Sequence, residues 1–114
     1  MPNSHKYERI ASEIAKQVSE IVSQEANDEI LKSITITGCT VTKDLCYAKI
    51  YFTSLLEMDS KELEREVNEA SKFIRGRLGD NIEIRNIPEL QFKYDTTIEY
   101  GNKIESIIKK IHQN

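Results

Sequence analysis

Lys61, Arg65, Asn68, Lys72 and Arg75 are spaced 4, 3, 4 and 3 residues apart. On a helix turning about 100° per residue they fall within an arc of roughly 80°. That arc lies opposite an apolar stripe of Leu63, Val67, Ala70, Ile74 and Leu78, and Glu62, Glu66 and Glu69 gather on a neighbouring flank. A cationic row of this kind can touch successive phosphates of a nucleic acid. The competing reading is a solvated helix face with i,i+4 pairs such as Arg65 with Glu69. Arg77, Arg85 and Lys93 extend the candidate surface, and Arg85 has Glu83 and Glu89 close in sequence as alternative partners. Tyr47, Tyr51, Phe92 and Tyr94 can stack on bases, but aromatics with this spacing first of all build a core or a sheet face.

No catalytic set emerges beside this row. His5 and His112 lie near the termini, where ordering is poor by default. No G-x-S-x-G, H-E-x-x-H or phosphate loop is present. Cys39 and Cys46 stand alone, without the spacing of a zinc site, and read as reduced, partly buried thiols. Gly76-Arg77-Leu78-Gly79 matches G-x-x-G literally. The nucleic-acid clamp of that form needs a helix on both sides, and Asn81 to Ile84 alternates before Pro88. The match therefore reads as accidental, with Gly79 a helix stop. No enzyme activity, cofactor or metal is expected.

The 114 residues suit one domain over 1–114. Sixteen Lys and Arg against 19 Asp and Glu leave a net charge of −3. Bulk charge thus cannot drive RNA binding, and any basic surface must be segregated. No apolar run approaches the roughly 18 residues of a membrane span, and Met1 to Tyr7 lacks the apolar region of a secretory signal. A cytoplasmic, non-membrane protein is expected.

The surrounding elements follow from periodicity. Tyr7, Ile10, Ala11, Ile14, Val18, Ile21 and Val22 predict a helix over about Ser4 to Gln24, capped by Asn3 or Ser4. Glu25 to Lys32 reads as loop. Ile34 to Thr42 and Cys46 to Ser54 form a hairpin around Lys43-Asp44, with a bulge at Gly38 where the face parity changes. Ser60 caps the helix that carries the row. Phe73 lies off the apolar stripe, so it packs at the margin or the helix kinks near Ala70. Leu90, Phe92 and Tyr94 alternate in a strand starting near Pro88, read as an exposed edge. A last helix carries Ile104, Ile107, Ile108 and Ile111. The order α-β-β-α(-α)-β-α is that of an α+β sandwich.

Three segments carry a family resemblance. They are Lys43 to Tyr51 (KDLCYAKIY), Ala70 to Arg75 (ASKFIR) and Ile84 to Asp95 (IRNIPELQFKYD). In this order and spacing the chain resembles ribosome-binding factor A from about Tyr7 to Ile111. The resemblance implies a KH-like fold of type II, with helices on one face of a three-stranded mixed sheet. It also implies an Ala-centred helix kink in place of the G-x-x-G loop. Lys72 stands where a Gly is frequent in the family, and Glu29 follows Asp28 where a Pro is frequent.

The function so implied is non-catalytic. It is binding to immature small (30S) ribosomal subunits near the 5′ region of their rRNA precursor, assistance in late rRNA maturation and a link to growth in the cold. A ribosome-associated GTPase is implicated in release, and a monomer is expected. The rivals are a general single-stranded RNA-binding module and a protein–protein adaptor using the acidic flank.

Overall fold

A computed structural model of the chain describes residues 2–96. Helix α1 (Pro2–Glu20) runs into a widened π-helical turn (Ile21–Glu25), closed by Ala26 N–H donating to Ile21 O at 3.1 Å. This leaves Ile14, Val18, Ile21, Val22 and Ala26 all buried. The helix begins at Pro2, so neither Asn3 nor Ser4 stands ahead of its first turn as a cap. The segment expected to be loop holds a short helix, α2 (Glu29–Ser33), whose cap is Asp28. The Asp28 carboxylate accepts from Ile30 N at 2.7 Å and Leu31 N at 3.4 Å. Glu29 thus fills the first helical position, where Pro is favoured and an acidic side chain complements the helix dipole.

Strands β1 (Ile34–Val41) and β2 (Tyr47–Ser54) pair antiparallel, and β3 (Glu89–Tyr94) adds to β2 in parallel, giving the order β1-β2-β3. Ile36 faces Phe52 while Gly38 faces Tyr51, so Thr37 is the extra residue of the bulge. The bulge returns Cys39 and Val41 to the face of Ile34 and Ile36, which explains the parity change. In the hairpin turn, Thr42 Oγ1 donates to Asp44 Oδ1 at 2.6 Å, and that oxygen accepts from Cys46 N at 3.0 Å. These bonds hold the Asp44 carboxyl below the usual carboxylate range and support Leu45 in its left-handed conformation at φ 60°.

The helices cover one face of the sheet. Ile34, Ala48, Ile50, Phe52, Leu90 and Phe92 are buried there with Ile14, Val18, Leu63, Val67, Ile74 and Leu78. The row-bearing helix is broken at Ala70 into α3 (Ser60–Glu69) and α4 (Ser71–Asn81). Ala70 sits at φ −90°, ψ 3°, with its N–H donating to Val67 O at 3.1 Å while its carbonyl receives Ile74 N at 3.0 Å. The break lets Val67 and Ile74 both enter the core, yet Phe73 stays 45% exposed. The only positive φ of a non-glycine residue among the described residues is that of Leu45. A Cβ at Lys72 is therefore no obstacle to the kink.

Two local expectations are corrected. Asp59, not Ser60, precedes α3, and its carbonyl accepts from Leu63 N at 2.9 Å without a side-chain cap. Gly79 does not stop α4, which continues to Asn81 and ends as Ile82 becomes extended. The G-x-x-G residues lie inside this helix rather than in a loop. The helix predicted over Ile104 to Ile111 lies outside the described residues. Within 2–96 the order is α-α-β-β-α-α-β, an α+β, KH-like arrangement with a three-stranded mixed sheet.

Candidate nucleic-acid interface

The predicted row lies along the outer edge of β3. Asn68 Nδ2 donates to Phe92 O at 2.9 Å, and Asn68 Oδ1 accepts from Phe92 N at 2.8 Å. Glu64 Oε1 accepts from Tyr94 N at 2.9 Å. The strand read as an exposed edge is therefore closed by α3 side chains, which removes an aggregation-prone row of backbone groups. Arg75 is a second fastener: its Nε donates to Pro88 O at 3.1 Å and its Nη2 to Ile87 O at 2.7 Å. Two members of the row thus tie the broken helix down, Asn68 to β3 itself and Arg75 to the Ile87–Pro88 segment that precedes it.

The break and this fastening create a groove of about 720 Å³. Lys72, Arg75 and Arg85 line it, together with Gly76, Gly79, Asp80, Asn86 and Ile87. Gly76 would meet nothing within 4 Å if it carried a Cβ, so the helix backbone is bare at that wall. Lys72 and Arg85 are exposed and form no ion pair among the described residues. The arrangement suits a phosphate-bearing backbone: cations on facing walls and a side-chain-free stretch between them.

The other predicted cations are distributed differently. Lys61 and Arg65 are exposed along α3 in the same row. Arg65 approaches Glu66 only at 3.9 Å, a surface contact of little energetic weight. Lys93 projects from the opposite face of the sheet, between Phe92 and Tyr94, in register with Tyr51. Arg77 is exposed as well, but it is ion-paired. Its Nη2 lies 2.8 Å from Glu25 Oε1, its Nε 3.4 Å from Oε2, and its Nη1 3.7 Å from Asp80. The bond from Arg77 pushes the Glu25 carboxyl down, and Glu25 pushes the Arg77 guanidinium up. Arg77 therefore fastens α4 to the π-helical turn, whereas the sequence placed it with the RNA-facing cations.

Sequence reasoning missed Gly76 and Gly79 as groove walls. The signal is present, because two glycines three apart share a helix face. The expectation of a loop setting for G-x-x-G hides it. The cysteines are free, but only Cys39 is partly buried and Cys46 is exposed. Burial pushes the Cys39 thiol up to about 11, so it stays protonated near neutrality. No group of His, Cys, Asp and Glu among the described residues could hold a metal ion.

Comparison with known proteins places this geometry in a family. Residues 6–108 match the family described as ribosome-binding factor A. The chain is 41% identical over 109 residues to ribosome-binding factor A of Pelobacter propionicus, covering 95% of this chain and 89% of the relative. It is 39% identical over 107 residues to that of Staphylococcus carnosus, covering 93% of each. The fold is similar to the crystal structure of ribosome-binding factor A from Thermus thermophilus, with a TM-score of 0.69, 17% identity, and 77% of this chain and 93% of that one covered. A homology model of the Thermus thermophilus factor, as fitted into the cryo-EM map of a 30S complex with it, is similar at a TM-score of 0.65 and 18% identity, covering 79% of this chain and 96% of that one. The match across residues 6–108 and the identity shared over most of each relative's length establish that this chain belongs to the ribosome-binding factor A family.

Proposed function

We propose that this chain is a non-catalytic assembly factor that binds immature small ribosomal subunits through the α4 groove and assists late maturation of their rRNA. The observation that carries the reading is the meeting of Lys72, Arg75 and Arg85 in one groove of a chain whose net charge is −3. These three cations meet where a folded RNA backbone can lie. The Thermus thermophilus relative, fitted into the map of a 30S complex, makes the small subunit the natural source of that RNA. Binding would bias rRNA between conformations, and only by the difference in affinity for the two. The cold-growth link, release with the help of a ribosome-associated GTPase, action as a monomer and a cytoplasmic location belong to the same proposal. No helix among the described residues is long and apolar enough to cross a membrane.

The test is sedimentation of tagged protein with cell extract. Co-migration with free small subunits but not with translating ribosomes supports the proposal, as does its loss in the Lys72→Glu/Arg85→Glu variant. Equal binding to any short single-stranded RNA would leave only a general RNA-binding module. Salt-insensitive binding to a protein, without RNA, would leave an adaptor.

A further inference from the structure

The face of the sheet turned away from the helices is covered by no described element. Its strand positions carry Thr35 and Thr40 on β1, Tyr47, Lys49, Tyr51 and Thr53 on β2, and Glu89, Gln91 and Lys93 on β3. The ladder sets these in rows: Tyr47 beside Glu89, Lys49 between Thr40 and Gln91, and Tyr51 between Gly38 and Lys93. Tyr47 is 57% exposed. Beside it is a hollow of about 250 Å³, lined by Thr40, Val41, Thr42, Tyr47, Ala48, Lys49 and Gln91.

We propose that this hollow binds an unpaired nucleotide of the RNA, as a second contact distinct from the α4 groove. The inference rests on the RNA-binding reading above and deepens it, because it names unpaired rather than helical RNA as the ligand of this face. A base needs a flat apolar partner for its π face and polar groups for its edge. The Tyr47 ring supplies the first, and the Gln91 amide and the Thr40 hydroxyl supply the second. Lys49, with Lys93 one row further along, supplies positive charge for the phosphates. Glu89 sits opposite Tyr47. The phosphates therefore run toward the Lys49–Lys93 side, and the base lies over the tyrosine. A protein partner fits less well, since no aliphatic residue occupies an outward strand position here and the core of a protein interface is apolar.

The experiment is an NMR titration of the full chain with an oligoadenylate of about eight nucleotides, and separately with a fully paired RNA stem. The expected result is shifts at Thr40, Tyr47, Lys49 and Gln91 with the single strand only. Tyr47→Ala should weaken that binding about tenfold while Tyr47→Phe retains it. Unchanged affinity of Tyr47→Ala, equal loss in Tyr47→Phe, or equal response to the paired stem overturns the inference. If Tyr47→Ala fails to fold, Lys49→Glu and Gln91→Ala replace it under the same criteria. Wild-type protein that sediments with small subunits yet ignores the oligonucleotide sinks this inference alone. Failure of wild-type protein to sediment with them sinks the proposed function itself.

Discussion

The two halves of the broken helix share one side-chain period but do different work. Segment α3 sets Lys61 and Arg65 against Glu62, Glu64, Glu66 and Glu69, whereas α4 sets Lys72, Arg75 and Arg77 against Asp80 alone. The sign of the local charge therefore changes at Ala70. The inward polar groups of α3, Glu64 and Asn68, are consumed by the edge of β3. On α4, two glycines leave a bare wall beside exposed cations. A shared row of spacing 4, 3, 4, 3 thus contains a structural half and a binding half. What separates them is the neighbour each half meets, since α3 lies against ladder groups that need partners and α4 against a loop that leaves room.

The strongest way to break this contrast is at the structural half. Asn68→Ala leaves the N–H and carbonyl of Phe92 without their side-chain partners and should cost about 2–3 kcal/mol of stability, read as a lower urea midpoint. A loss near zero would mean that α3 does not secure the strand. The binding half is addressed by Lys72→Glu/Arg85→Glu. Affinity for small subunits should fall at least about tenfold, with a flatter salt dependence and an unchanged urea midpoint. Arg75 is left out of that pair because its bonds to Ile87 and Pro88 carbonyls would confound stability with binding.

Smaller effects sharpen the comparison. Gly79→Ala places a Cβ 3.6 Å from Ile87 Cγ1, an ordinary contact, in mid-helix. It should raise stability by about 0.5–1 kcal/mol, measured by thermal melting. A decrease would mean that the groove wall cannot accept a methyl group. Arg77→Ala should leave RNA affinity unchanged within experimental error, since its guanidinium serves Glu25. It should also alter acid stability. The Glu25 carboxyl is lowered in the folded protein, so its contribution is complete above the ordinary value of 4.5 and fades as pH falls through the lowered folded value. Urea midpoints of wild type and variant should therefore differ above pH 4.5 and converge below it. A constant difference would deny Arg77 this role.

Much of the fold was legible because its cause is local. Ala48, Ile50 and Phe52 alternate with polar neighbours, and Leu63, Val67, Ile74 and Leu78 recur at helical spacing; burial follows these periods. The phase mismatch of Phe73 pointed to the break at Ala70, and the parity change pointed to the bulge beside Gly38. Helix α2 escaped because Glu29 to Ser33 is too short to show a period, and its Asp28 cap looks like any polar loop residue. The candidate site was legible in part. Lys72, Arg75 and Arg85 do share a groove, but nothing in one dimension tells Arg75 from Lys72, although both are exposed and only Arg75 holds backbone carbonyls.

The amino-acid sequence by itself determined the elements, the inward face of each strand, the segregation of charge along one helix row and the family. All of these depend on residue type and spacing within a few turns. Only the tertiary structure decided that Arg77 serves Glu25 and that Asn68 and Glu64 close the edge of β3. Those outcomes rest on partners 24, 30 and 52 residues away along the chain. A hydrogen bond or ion pair acts over a few ångströms of space, and no local period records which distant group will arrive there.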